Sequence, residues 1–162
     1  METLEQAKRG ACDLHWLAAL LTGCHEAAGG ISQQAIELTD DPNAFFSTWM
    51  HEWSRKLVIA KALTAIRRDL AASARRTALR PAETSAIPPQ SWMPDTGATK
   101  SELEQALLSI DLFPRASVLL LVFEAVPLKD AAILLDVDPE LLRRAQGAAV
   151  RELTTNLARM RG

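Results

Sequence analysis

From Phe46 to Leu70 an apolar side chain returns at every third or fourth position: Phe46, Trp49, Met50, Trp53, Leu57, Ala60, Leu63, Ile66 and Leu70. Such spacing sets all of them on one face of an α-helix, and an apolar stripe of about seven turns is stable only if other helices cover it. Asp41 supplies a cap and Pro42 a first helical residue with φ already set, so the helix is predicted to begin there. The rest of the chain fits a helical bundle. Hydrophobic residues make up 48% and charged residues 23% of 162 positions, which is a globular balance. Leu and Ala carry the core, and straight-chain side chains lose little rotamer freedom in a helix. The expected fold class is all-α, with two small helical domains.

The composition changes once, from Thr77 to Lys100, where four of the eight prolines fall and no helical period survives. This predicts a helical domain over 1–76, a Pro-rich linker over 77–100 and a second helical domain over 101–162. In the first domain a helix near Leu4 to Leu21 should end at Thr22-Gly23. A weaker helix is predicted over Glu26 to Leu38, with Gly29-Gly30 counting against its first half. The second domain opens with Ser101 and Glu104 in capping-box spacing. Pro114, Pro127 and Pro139 each mark a helix start, and the stretch Ala116 to Phe123 is apolar on all sides, as a buried helix would be.

The spacing from Asp130 to Ala145 carries the most information. Helices Leu128 to Leu135 and Pro139 onward are separated by Asp136-Val137-Asp138 alone. Two helices joined so closely need a small residue where they cross, which Ala132 supplies. They also need apolar residues inside, and Leu135, Val137, Leu142 and Ala145 stand at those positions. The first turn residue needs positive φ, which short polar side chains such as Asp136 tolerate. This is a helix-turn-helix pattern, and that geometry presents the second helix to a DNA major groove.

On these residues a family resemblance rests. The stretch from Leu107 through Phe113-Pro114-Arg115, the Asp130-Ala131-Ala132 triplet and Ala149-Val150-Arg151-Glu152-Leu153 resembles region four of bacterial sigma factors of the extracytoplasmic-function class. The N-terminal half resembles region two of the same family. Leu20-Leu21-Thr22-Gly23 is similar to the end of its first helix, and Phe46-Ser47-Thr48-Trp49-Met50 with Ser54 to Ile59 and Arg67-Arg68 is similar to its aromatic, DNA-melting helix. The resemblance implies a transcription initiation factor that binds RNA polymerase core and promoter DNA, with an anti-sigma or other regulatory protein as a further partner. Where the family carries an acidic cluster that docks on polymerase, this chain keeps Glu26 and Gln33. A second reading stays open beside the first: a degenerate sigma-like protein that uses the inherited fold for protein association, as a regulator or a homodimer.

Charge bears on that choice. The net charge is −2, and Ser101 to Gly162 holds seven Lys and Arg against nine Asp and Glu. Any contact with phosphates must therefore come from local clusters. The candidate groove readers are Arg143, Arg144, Gln146 and Arg151, since Arg pairs bidentately with guanine and Gln with adenine. Their alternative role is a solvated face pairing with Glu140 and Glu152. Arg55, Lys56 and Lys61, followed by Arg67, Arg68, Arg75 and Arg76, give the long helix a basic second half suited to a phosphate backbone or to solvent. Phe45, Phe46, Trp49 and Trp53 offer rings for stacking unpaired bases, or else form the inner side of that helix.

Cys12, His15, Cys24 and His25 are metal-ligand types, but their spacing is not that of a zinc finger. Reduced thiols are the expectation, with no metal and no cofactor. Two cysteines make no disulfide framework, and the N-terminus has no apolar run behind its charges, so a cytoplasmic location is expected with no membrane partner. No glycine-rich phosphate loop, nucleophile elbow or paired-histidine metal motif is present, and no enzyme is expected.

Overall fold

The computed structural model describes residues 14–31, 47–80 and 99–161, with the side chains of 47–53 and 161 left aside. The fold is all-α, and among the described residues there is no strand. Helix α1 covers 14–22 and α2 covers 25–31. Then come α3 (Ser47–Ala65), α4 (Arg67–Leu79), α5 (Lys100–Leu108), α6 (Leu112–Val118), a π-helical turn (Leu119–Phe123), α7 (Leu128–Leu135) and α8 (Pro139–Arg161). No helix among the described residues is long and apolar enough to cross a membrane.

By its contacts the chain divides into two compact units, Met1–Arg67 and Arg68–Gly162. That division falls earlier than the boundary expected at 76. The stripe read as one helix to Leu70 is interrupted at Ile66, and the residues beyond it find their partners far along the chain. Ser73 Oγ accepts the Phe113 N–H at 2.8 Å, and Arg76 binds Asp111 through both carboxylate oxygens, at 2.9 and 3.0 Å. Helix α4 therefore belongs to the C-terminal unit. It also runs through Thr77, which is buried, to Leu79, so the first residues assigned to the linker are helical. Lys100, its last assigned residue, opens α5. Residues 81–98, Asp41 to Phe46 and the latter half of the predicted Glu26–Leu38 helix lie outside the described residues.

In the N-terminal unit, α1 buries Leu14, Leu17, Ala18, Leu20 and Leu21, and α3 buries Val58, Ile59, Ala62 and Leu63. Helix α1 ends where Thr22-Gly23 predicted. Gly23 takes φ 73°, a left-handed conformation that costs glycine nothing, and its N–H returns to the Ala19 carbonyl at 2.7 Å.

In the C-terminal unit α8 packs against α5, α6 and α7. Its inner face is Leu142, Ala145, Ala149, Val150, Leu153 and Leu157, all buried. Burying each leucine stabilises the unit by about 1.5–3 kcal/mol. The apolar run after Pro114 is buried as its composition predicted, with Phe113, Ala116, Val118, Leu119 and Leu120 at the centre. It ends in the π-turn, where the Glu124 N–H reaches the Leu119 carbonyl at 2.9 Å.

Two cap positions differ from expectation. The capping box at α5 uses Thr99 and Glu102, not Ser101 and Glu104: Thr99 Oγ1 accepts from the Glu102 N–H, and the Glu102 carboxylate accepts from the Thr99 N–H. Helix α6 starts before Pro114, at Leu112, because Asp111 caps it by accepting the Leu112 N–H at 2.9 Å. Pro114 occupies the first turn, where a missing donor leaves no helical bond unmade.

The hydrogen bonds from Arg76 hold the Asp111 carboxyl at about 2, below its ordinary 3.8, with help from the Ser73 hydroxyl, the Leu112 N–H and the Arg76 charge, and against a burial that opposes them. A carboxyl depressed on folding stabilises the protein above its unfolded value and loses that contribution as pH falls through the folded one. The urea midpoint of the native protein should therefore exceed that of D111N at neutral pH, and the gap should close between pH 3.8 and about 2. Asp136, at φ 53°, gives a second expectation. D136V should lose about 1–3 kcal/mol in thermal or urea unfolding, while D136G should hold its stability or gain up to about 1 kcal/mol.

Candidate nucleic-acid interface

The two helices over 128–161 meet through a turn made by local chemistry. The Val137 N–H closes on the Ala132 carbonyl at 3.1 Å and the Asp136 N–H on the Ile133 carbonyl at 3.2 Å, with Asp136 left-handed between them. This is the paired closure of a Schellman ending. Asp138 then caps α8, its carboxylate accepting the Glu140 N–H at 2.8 Å and its carbonyl the Leu142 N–H at 3.1 Å. Ala132 and Leu135 on α7 and Leu142 and Ala145 on α8 are buried, as the helix-turn-helix pattern requires. Val137 is half-buried rather than a full plug.

The four candidate groove readers on α8 part company. Arg143 is exposed, one turn into the helix. Arg144 is half-buried and donates through Nη2 to the Arg80 carbonyl at 2.8 Å, closing the last turn of α4. Gln146 is buried at 6% exposure, which corrects its assignment to the reading face. It stands one helical turn beyond Leu142 and seven residues before Leu153, and so shares their inward side. Arg151 is half-buried and lies in a groove with Arg80 and Arg159.

That groove, of about 410 Å³, gathers three arginines. Three guanidiniums face a single carboxylate, Glu152, which pairs with Arg80 at 3.4 Å. Ser109 and Asn156 complete the wall. The Ser109 hydroxyl is engaged on the Gln105 carbonyl at 2.9 Å, and one Asn156 Nδ2 hydrogen on the Ala106 carbonyl at 3.1 Å. An anion entering here meets guanidiniums above all, and guanidinium forks match phosphate and carboxylate oxygens. Sequence reasoning missed Arg80, which sat in the presumed linker, and Arg159, six residues past the last matched segment.

The remaining candidates lie on the N-terminal unit. On α3, Lys56 is exposed, and Arg55 and Lys61 are half-buried. Trp49 lies on the same helix. Phe45 and Phe46 fall outside the described residues. Of the two polymerase-docking candidates, Glu26 is exposed at the start of α2, and Gln33 falls outside the described residues.

Arg115 is a charged residue that neither role explains. It is buried, and Nη1 donates to the Ile110 carbonyl at 3.1 Å, so the side chain ties the α5–α6 connection from beneath. Burial pushes its pKa down, with the Asp111 charge opposing.

The unequal commitment of neighbouring arginines is directly measurable. R144A should speed amide hydrogen exchange severalfold in the last turn of α4, whose closing carbonyl loses a charged donor, while R143A should leave those amides unchanged. Compared with known protein families, curated proteins and solved structures, the chain shows no match.

Proposed function

We propose that this chain is a sigma-like transcription initiation factor that binds RNA polymerase core and promoter DNA, acting in the cytoplasm and without catalysis. The observation that carries the reading is the turn between α7 and α8. A left-handed Asp136, a Schellman closure and an Asp138 cap join two helices whose crossing residues are small or apolar. Such a tight, capped turn is what a DNA-reading helix-turn-helix needs, and it supports the reading. In this reading the exposed Arg143 meets base edges, the Arg80, Arg151 and Arg159 groove follows phosphates, and the basic residues of α3 with Trp49 serve the melted strand. Glu26, exposed on α2, would meet polymerase, with Gln33 seven residues further along the sequence.

A second reading has its own observation. Ile133 is 71% and Leu134 46% exposed on α7, an apolar pair on the outer side of the helix-turn-helix. Arg144 is spent on α4 and Gln146 is buried. A degenerate sigma-like module would use that apolar pair against another protein, whether a regulator such as an anti-sigma factor or a second copy of the chain.

Co-purification with core RNA polymerase, in competition with a housekeeping sigma factor and at two salt concentrations, tests the first reading. Retention with displacement of the competitor is expected; no retention of folded protein would leave the interaction module. In DNA titrations R143A should cost about 1–3 kcal/mol on the preferred sequence and relax its specificity. R151A and R159A should instead weaken binding uniformly and lower the salt slope by about 1 each.

A further inference from the structure

Both cysteines of the chain and two of its three histidines fall within one short segment, as Cys12, His15, Cys24 and His25. Neither the helix-turn-helix nor the arginine groove uses them. The structure brings the two histidines together: His15 Nε2 lies 3.3 Å from His25 Nδ1, with ring centroids 5.5 Å apart and planes 23° from parallel. Two imidazole nitrogens on one tetrahedral ion, each about 2.0–2.1 Å from it, stand roughly 3.3 Å from one another. The observed separation is that bite.

We propose that His15 and His25 form a binding site for a divalent transition ion of borderline softness, with zinc as its probe. Both rings would ligate as neutral imidazoles, through His15 Nε2 and His25 Nδ1, with their protons on His15 Nδ1 and His25 Nε2. The ion replaces the one hydrogen the pair can share between them. The backbone carrying both residues is already fixed. Thr22 Oγ1 donates to the Ala18 carbonyl at 2.7 Å and accepts from the Cys24 N–H at 3.3 Å. The Gly23 N–H closes on Ala19 at 2.7 Å, and the Ala28 N–H on Cys24 at 3.1 Å. His15 is half-buried and His25 exposed, so the ion has access.

Among the described residues no third His, Cys, Asp or Glu completes a three-ligand group. With these two described ligands alone the ion would keep water in its other positions, as an exchangeable site does. Cys24 is exposed and adjacent to His25, and Cys12 lies outside the described residues.

The test is calorimetric titration of the full chain with zinc under reducing conditions, beside a titration followed by imidazole nitrogen resonances. The native protein should bind one equivalent, and two of the three histidine rings should shift together and saturate at that ratio. H15A and H25A should each weaken binding about tenfold or more, and the double variant should add little, since either loss removes the chelate. H51A should bind like the native chain. The imidazole resonances are read on the unaltered protein, so a variant that fails to fold does not blunt the test. Absence of saturable binding, shifts confined to one ring, or affinity unchanged in H15A and H25A would overturn the site.

Discussion

The C-terminal unit depends on one carboxylate. Asp111 caps α6 through the Leu112 N–H and takes both arms of the Arg76 guanidinium, so the residue that starts one helix also anchors another. Ser73 adds to the junction by accepting the Phe113 N–H, a second donor that helix α6 cannot satisfy internally. A helix N-terminus attracts negative charge, and the Arg76 charge offsets the cost of placing it there. The result is that α4, which follows the long stripe in sequence, is held to the unit that follows it in space. Beneath this junction Arg115 binds the Ile110 carbonyl, so the α5–α6 connection is tied from both sides.

Helix α8 is built of two halves with different work. Its first turns are set by Asp138 and by the left-handed Asp136, and they carry Arg143 outward and Gln146 inward. Its later turns carry Arg151, Glu152 and Arg159, which reach the arginine groove with Arg80. Arg80 joins the halves: its carbonyl takes Arg144 and its guanidinium takes Glu152, two turns further on. A unit whose acidic and basic side chains balance thus gathers three guanidiniums in one groove.

Local features were the legible ones. Asp136, Asp138 and the small Ala132 announced the helix-turn-helix because each acts within a few residues of its own position. Thr22-Gly23 announced the end of α1 for the same reason. The capping box was legible only to within two residues, because Thr99-Glu102 and Ser101-Glu104 have the same spacing and nothing nearby chooses between them. Gln146 was misread although the signal was present: counted in helical steps from Leu142 to Leu153, it falls on the inward face. The interruption at Ile66 was not legible; the residues after it bond to partners as far along the chain as Phe113, forty residues beyond Ser73. The convergence of His15 and His25 needed the Gly23 turn to be seen in space, because their sequence separation matches no standard ligand spacing.

The contacts that occupy α8 are weak enough to be exchanged. Arg80 and Glu152 meet at 3.4 Å with both side chains well exposed, and a pair of that kind is worth about 0–1 kcal/mol. The Arg144 bond to the Arg80 carbonyl is shorter, at 2.8 Å, but its donor is only half-buried and water can replace the acceptor. Phosphates offer the same guanidiniums a full opposing charge together with counterion release. Exchange of the Arg80 and Arg144 bonds would leave the unit folded, because the stabilising leucines of α8 and the Asp111 junction lie elsewhere.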